Sequence, residues 1–198
     1  MEDYVLRGEI PNIVLASASP RRADLLRQIG LEFRVLPSQI DEPSIKSQPI
    51  EAVKCIAYEK AKAVVDQVES GLVIGADTTV VANNQVAIGK PTSYQQAIEF
   101  LTKLSGGRHQ VITGVALIDV SQKTETVWSE TTSVFFRQLR NKEIEAYVAS
   151  GEANDKAGAY GIQGKAATFV KKIEGCYFNV VGLPLASLAE KLYQTYWA

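Results

Sequence analysis

Apolar positions recur along the chain with two different periods, and the switches between them lay out the elements. Ile13-Val14-Leu15-Ala16 is an unbroken apolar run of strand length that stops at Ser17 and Ser19. Ser19-Pro20 reads as the cap and first turn of a helix, in which Leu25, Leu26 and Ile29 keep helical spacing until Gly30 ends it. Residues 31–36 predict a strand closed by Pro37, and residues 38–49 a loop. A long helix follows over 49–69, with Ile50, Val53, Ile56, Ala57, Ala61, Val64 and Val68 as its apolar stripe. Residues 72–76 predict a short buried strand that leaves Asp77 at its end, and Asn83-Asn84 signals a hairpin turn before a return strand at 85–88. A helix over 93–104, two long strands over 109–120 and 124–137, and a helix over 142–150 come next. Residues 155–164 are glycine-rich and irregular; 168–173 and 177–181 read as a hairpin about Glu174-Gly175, and a last helix starts near Pro184.

Helices alternate with strands, but hairpins are interspersed. The expected fold is therefore α/β with a mixed central sheet and flanking helices. Residues 1–198 show no linker, repeat or low-complexity stretch and are expected to form a single α/β domain. Hydrophobic residues make up 46%, enough for a substantial core. The formal net charge of −1 argues against a nucleic-acid partner, so any anion site must be a local concentration of charge. No apolar run reaches membrane-span length, and Met1-Glu2-Asp3 lacks a signal-peptide pattern, so no membrane partner and a cytoplasmic location are expected. Cys55 and Cys176 sit far apart in apolar neighbourhoods and read as buried free thiols. His109 is the only histidine, which excludes a His-rich zinc site. A participating metal would be oxygen-ligated Mg²⁺ or Mn²⁺, of the kind that arrives with substrate phosphates.

Candidate chemistry begins where the first strand meets the first helix. Ser17, Ser19, Arg21 and Arg22 cluster at a helix N-terminus, whose unpaired N–H groups and partial positive charge suit phosphate. The same residues also fit a capped surface helix with two solvated arginines. Asp77, after an apolar strand, is placed to bind Mg²⁺, orient water or accept its proton, or else to cap a turn through Thr78 and Thr79. Asp41-Glu42 offers a second carboxylate for a metal, or a solvated acidic turn. Lys60 falls on the apolar stripe of its helix and needs an anionic partner there, whereas Lys62 faces solvent. Lys90 is held between Gly89 and Pro91, and Arg21, Arg22, Lys60 and Lys90 together suit a triphosphate. Gln163, between Gly161 and Gly164, carries a donor and an acceptor side by side, which matches the N3–H and carbonyl of uracil or thymine; an exposed turn glutamine would look the same. Neither GxGxxG after a strand nor GxxxxGK[ST] is present, so no Rossmann site or P-loop is indicated. Tyr147, Tyr160, Phe169 and Tyr177 are candidates for base stacking or for the core.

Taken in order, Ser17-Ala18-Ser19-Pro20-Arg21-Arg22, Asp41-Glu42, Glu59-Lys60-Ala61, Gly75-Ala76-Asp77-Thr78, Gly89-Lys90-Pro91, Asp155-Lys156-Ala157-Gly158-Ala159-Tyr160-Gly161-Ile162-Gln163-Gly164 and Val181-Gly182-Leu183-Pro184 resemble the Maf family of nucleoside triphosphate pyrophosphatases over nearly the whole chain. The resemblance implies an elongated, two-lobed α/β structure with a cleft, similar to inosine triphosphate pyrophosphatases. It implies cleavage of a nucleoside triphosphate to monophosphate and pyrophosphate with a divalent cation, and a homodimer. It implies Asp77 as the proton acceptor, with Arg21, Thr78 and Gln163 in specificity positions; we further expect Asp77, with help from Glu42, to hold the metal. Thr78 after Asp77, together with Gly161-Ile162-Gln163-Gly164, is similar to the dTTP/UTP branch, whereas the 7-methyl-GTP branch has glutamine after the aspartate. A non-enzymatic regulator of septum formation is the alternative of a different class. Residues 1–11 precede the motifs and receive no role.

Overall fold

The structure, a computed structural model, describes residues 12–41, 45, 47–82 and 87–196. In chain order it contains β1 (Ile13–Leu15), α1 (Pro20–Gln28), β2 (Phe33–Val35), α2 (Pro49–Val65), β3 (Leu72–Val81), β4 (Ala87–Ile88), α3 (Tyr94–Leu104) and β5 (Arg108–Asp119). There follow β6 (Thr124–Phe136), α4 (Asn141–Ala149), 3-10 turns at Ala157–Ala159 and Lys165–Phe169, β7 (Val170–Glu174), α5 (Tyr177–Val181) and α6 (Leu185–Tyr196). The strands form one sheet in the order β2-β1-β3-β5-β6-β7, with β4 also paired to β3. β1 runs parallel to β2 and β3 and every other pairing is antiparallel, so the sheet is mixed as expected.

Helix α2 lies across one face. Ala57, Ala61 and Val64 pack on Val14, Val73, Ala116 and Ile118. It approaches closely because the strands beneath it carry glycine. A Cβ on Gly114 would lie 2.3 Å from the Val53 carbonyl oxygen, and one on Gly75 would lie 2.2 Å from that of Ala57. On the other face, Leu25 and Leu26 of α1, Leu101 and Leu104 of α3, Ile144 of α4 and Leu188 and Leu192 of α6 bury against Leu15, Ile74, Val115 and Val134.

The edge of β3 facing β1 is incompletely covered, and this positions the site. β1 pairs with residues 72–74 and β4 with residues 80 and 81. Between them, residues 75–79 have no strand partner on that side among the described residues. Side chains alternate across this stretch. Asp77 turns towards Lys60 on α2, and Thr78 turns the opposite way, towards Arg22 on α1.

Several sequence expectations are corrected. Asp77 is not at a strand end: Thr78, Thr79, Val80 and Val81 continue β3 and pair residue by residue with β5 as far as Val81 opposite Gln110. Residues 177–181 are not a return strand. They form α5, because Asn179 is buried and its amide donates to the Val111 carbonyl and the Thr132 hydroxyl. β7 pairs with β6 instead. Cys55 is exposed and Cys176 half-buried, since helical phase turns Cys55 away from the face that buries Val53, Ile56 and Ala57. Ile50, placed on the apolar stripe, is 45% exposed. The Asn83-Asn84 turn lies outside the described residues, although Val80 does pair antiparallel with Ile88. Among the described residues no helix is long and apolar enough to cross a membrane.

Candidate active site

A cleft of about 690 Å³ opens at the uncovered stretch of β3, within the range of small-molecule sites. Ser17, Ser19, Arg21, Arg22, Lys60, Asp77, Thr78, Lys90 and Gln163 all line it. These residues come from five separate stretches of sequence, and the fold brings them to one cavity. Glu42, the expected second metal ligand, lies outside the described residues.

Asp77 and Lys60 form an ion pair at 2.7 Å, with side chains only 11% and 8% exposed. Lys60 thus finds the anionic partner that its place on the buried stripe required. Across the cleft mouth, Arg21 pairs with Asp155 at 2.9 Å, and Asp155 also accepts from Lys156. Partial burial alone would raise the Asp155 carboxyl, but the bonds from Lys156 and Arg21 outweigh it and hold its pKa down to about 2.

Arg22 departs from the expectation of a phosphate-facing guanidinium. It is buried and donates to protein acceptors: Nε to the Gly182 carbonyl, Nη1 to Ser17 Oγ and the Ala76 carbonyl, and Nη2 to Thr78 Oγ1. It therefore cross-links α1, the free edge of β3 and the end of α5. Ser19 is the N-cap of α1, but its side chain makes no capping bond; its N–H donates to Ser17 Oγ.

Gln163 is exposed on the cleft rim, at the end of a turn fixed from beneath. Gly158 takes φ +70 where a Cβ would lie 2.9 Å from Val80. The Gly161 N–H donates to the Tyr147 hydroxyl, and the Tyr160 hydroxyl bonds to His109 Nε2 at 2.8 Å. Burial pushes Tyr147 up to about 12 and His109 down to about 4. Tyr147, Tyr160 and Phe169 belong to the core, and of these only Tyr160 reaches the cleft; Tyr177 is 41% exposed.

Among the described residues no group of three or more His, Cys, Asp or Glu forms a metal cage, and Asp41 is exposed. A single carboxylate beside a cationic cleft does fit a divalent ion that brings its own phosphate ligands, since Mg²⁺ commonly uses one or two carboxylates plus substrate oxygens.

Two contributors escaped sequence reasoning. Thr113 and Asn179 are wholly buried and join the Thr78 network: Thr78 Oγ1 and Thr113 Oγ1 are 3.0 Å apart, and Thr113 donates to the Asn179 carbonyl at 3.1 Å. The available signal was a polar residue inside an otherwise apolar run, in Val111-Ile112-Thr113-Gly114-Val115 and in Tyr177-Phe178-Asn179-Val180-Val181.

Residues 12–195 match the family described as Maf-like protein. The chain is 52% identical over 181 residues to the dTTP/UTP pyrophosphatase of Pelotomaculum thermopropionicum, covering 91% of this chain and 94% of that protein. It is 49% identical over 183 residues to the dTTP/UTP pyrophosphatase of Ruminiclostridium cellulolyticum, at 91% and 94% coverage. Among solved structures, the Ham1 protein of Staphylococcus aureus is similar over 63% of this chain and 71% of its own, with a TM-score of 0.45 and 19% identity.

Proposed function

We propose that this chain, which belongs to the Maf family, is a pyrophosphatase that hydrolyses dTTP and UTP to the monophosphate and pyrophosphate. The observation that carries the proposal is the convergence on one cleft of the Asp77–Lys60 pair, the cations Arg21 and Lys90, and the amide of Gln163. The name shared by the relatives quoted above supports the same substrates.

In this reading Arg21, Lys60 and Lys90 face the phosphate oxygens, and Ser17 and Ser19 add hydroxyl donors. Arg21 exchanges Asp155 for phosphate as substrate enters. Arg22 contributes its charge and holds Ser17 and Thr78 in place. Asp77 accepts the proton of the water that attacks the α-phosphorus, and pyrophosphate leaves. A divalent cation, Mg²⁺ or Mn²⁺, would be held by Asp77 with Glu42 and would supply neutralisation of the phosphate oxygens when bound. Gln163 pairs with the uracil or thymine edge, its carbonyl taking N3–H and its amino group meeting the C4 oxygen. The protein is expected to work as a homodimer, which sedimentation would check.

A screen of purified protein over nucleoside triphosphates, read by pyrophosphate release, tests the proposal. Release should be strongest from dTTP and UTP and should stop with EDTA. Preference for 7-methyl-GTP or CTP would refute the substrate assignment. Absence of metal-dependent release from any triphosphate would refute the enzymatic reading and favour a regulatory role.

A further inference from the structure

The hydrogen bonds around Arg22 determine which way two cleft hydroxyls point. A hydroxyl has one proton and two lone pairs, a carbonyl oxygen only accepts, and a guanidinium only donates. Thr113 is wholly buried and bonds to the Asn179 carbonyl, so its single proton is spent there. In the contact between Thr78 and Thr113, Thr78 must therefore be the donor. Thr78 also accepts from Arg22 Nη2 at 3.0 Å. Its proton is directed into the protein, and among the described residues one lone pair is left for the cleft that Thr78 lines. Ser17 is the opposite case. Its oxygen accepts from Arg22 Nη1 and from the Ser19 N–H, and no acceptor among the described residues takes its proton. One guanidinium thus organises a donor at Ser17 and an acceptor at Thr78.

Phosphate oxygens are acceptors and are matched by Ser17. They are mismatched with Thr78, which calls for a donor on the substrate. Building on the pyrimidine reading above, we propose that Thr113 is a positioning residue for base selection. By taking the Thr78 proton it makes Thr78 a second acceptor, which shares the N3–H of uracil or thymine with the carbonyl of Gln163 in the cleft that both residues line. Cytosine carries a lone pair at N3, which would face two acceptors. The C4 oxygen of uracil remains for the Gln163 amino group. Neither Thr113 nor Asn179 reaches the cleft lining, so the selectivity would be set from behind the residue that touches the base.

The variant Thr113→Val is nearly isosteric and keeps a β-branched residue in β5. It removes the acceptor for the Thr78 proton, which can then turn into the cleft and donate to cytosine N3. The preference for UTP over CTP, as a ratio of kcat/KM, should fall by about 5- to 150-fold. The change should lie mainly in KM, with kcat on UTP nearly unaltered, and Thr113→Ser should restore the preference. A second measurement uses the unaltered protein and does not depend on a variant folding. N3-methyl-UTP lacks the donor and should be turned over at least about fivefold less efficiently than UTP.

Full preference retained in folded Thr113→Val would overturn the inference. So would an equal loss of kcat on UTP and CTP, which would place the Thr78 lone pair on the attacking water. Turnover of N3-methyl-UTP at the rate of UTP would overturn it as well. These failures are separable from failure of the pyrophosphatase reading, because that reading stands or falls with dTTP and UTP turnover by the unaltered protein.

Discussion

Acidification should destabilise this protein through its single histidine. His109 is 1% exposed, with Phe136 and Tyr160 edge-on at 4.8 and 5.4 Å and its Nδ1 without a hydrogen-bond partner among the described residues. Burial lowers its pKa from 6.5 to about 4. The unfolded chain therefore takes up the proton first as pH falls. Stability is fully present above the unfolded value, declines as pH drops from about 6.5 towards 4, and levels off below. At 1.36 kcal/mol per pKa unit, the full shift corresponds to about 3 kcal/mol, and most of it is lost by pH 4.5. That is a large share of the 5–15 kcal/mol typical of a folded protein. Urea unfolding at pH 7.5 and 4.5, in the unaltered protein and in His109→Phe, isolates the effect. Every carboxylate titrates in both proteins, so the extra acid loss of about 2–3 kcal/mol should appear only where the imidazole is present. Because the chain has one histidine, its imidazole proton resonance is unambiguous and should titrate near 4. An imidazole titrating near 6.5, or equal acid sensitivity in the two proteins, would refute the reasoning.

Three further outcomes are expected. Asp77→Asn should keep its circular dichroism spectrum and lose about 10²–10⁴-fold in turnover of UTP, as for loss of a general base; near-normal turnover would reject the assigned role. Gln163→Ala should reduce the kcat/KM preference for UTP over CTP by about 5- to 150-fold, the effect of one mismatched polar contact; an unchanged preference would mean that Gln163 does not read the base. Gly114→Ala places a methyl 2.3 Å from the Val53 carbonyl oxygen, so α2 must lift from the sheet at a cost of about 1–3 kcal/mol, and an unchanged melting temperature would show that the approach is not tight.

Much of the architecture was legible because it depends on neighbours in sequence. The stop after Ala16, Pro20 at the head of α1, Gly30 at φ +76 after it, and the amphipathic phase of α2 from Val53 to Val64 are local signals that the structure bears out, although Ile50 is exposed and the helix ends at Val65, before Val68. The phase of α2 even identified Lys60 as an inward lysine in need of an anion. Local signals failed where two conformations satisfied the same pattern. Tyr177-Phe178-Asn179-Val180-Val181 serves as strand or helix, and Asn179 decides for the helix by bonding to Val111 and Thr132 on the sheet. The stretch after Asp77 resembled a turn, and its pairing with β5 made it the middle of a strand.

By itself the sequence marked the polar and charged residues that the fold gathers in the cleft, because residue type and local spacing set charge, hydrogen-bonding capacity and backbone conformation. Tertiary structure alone decided which partners those residues meet. Arg21 and Arg22 are adjacent and chemically identical, yet one reaches across the cleft to Asp155 and the other is buried against Gly182. The direction of the Thr78 hydroxyl depends on Thr113 and, through it, on the carbonyl of Asn179. Those partners are brought together by pairing of β3 with β5 and packing of α5 on the sheet. The direction in which a hydroxyl donates is a property of all its neighbours at once, and these neighbours meet only in the folded chain.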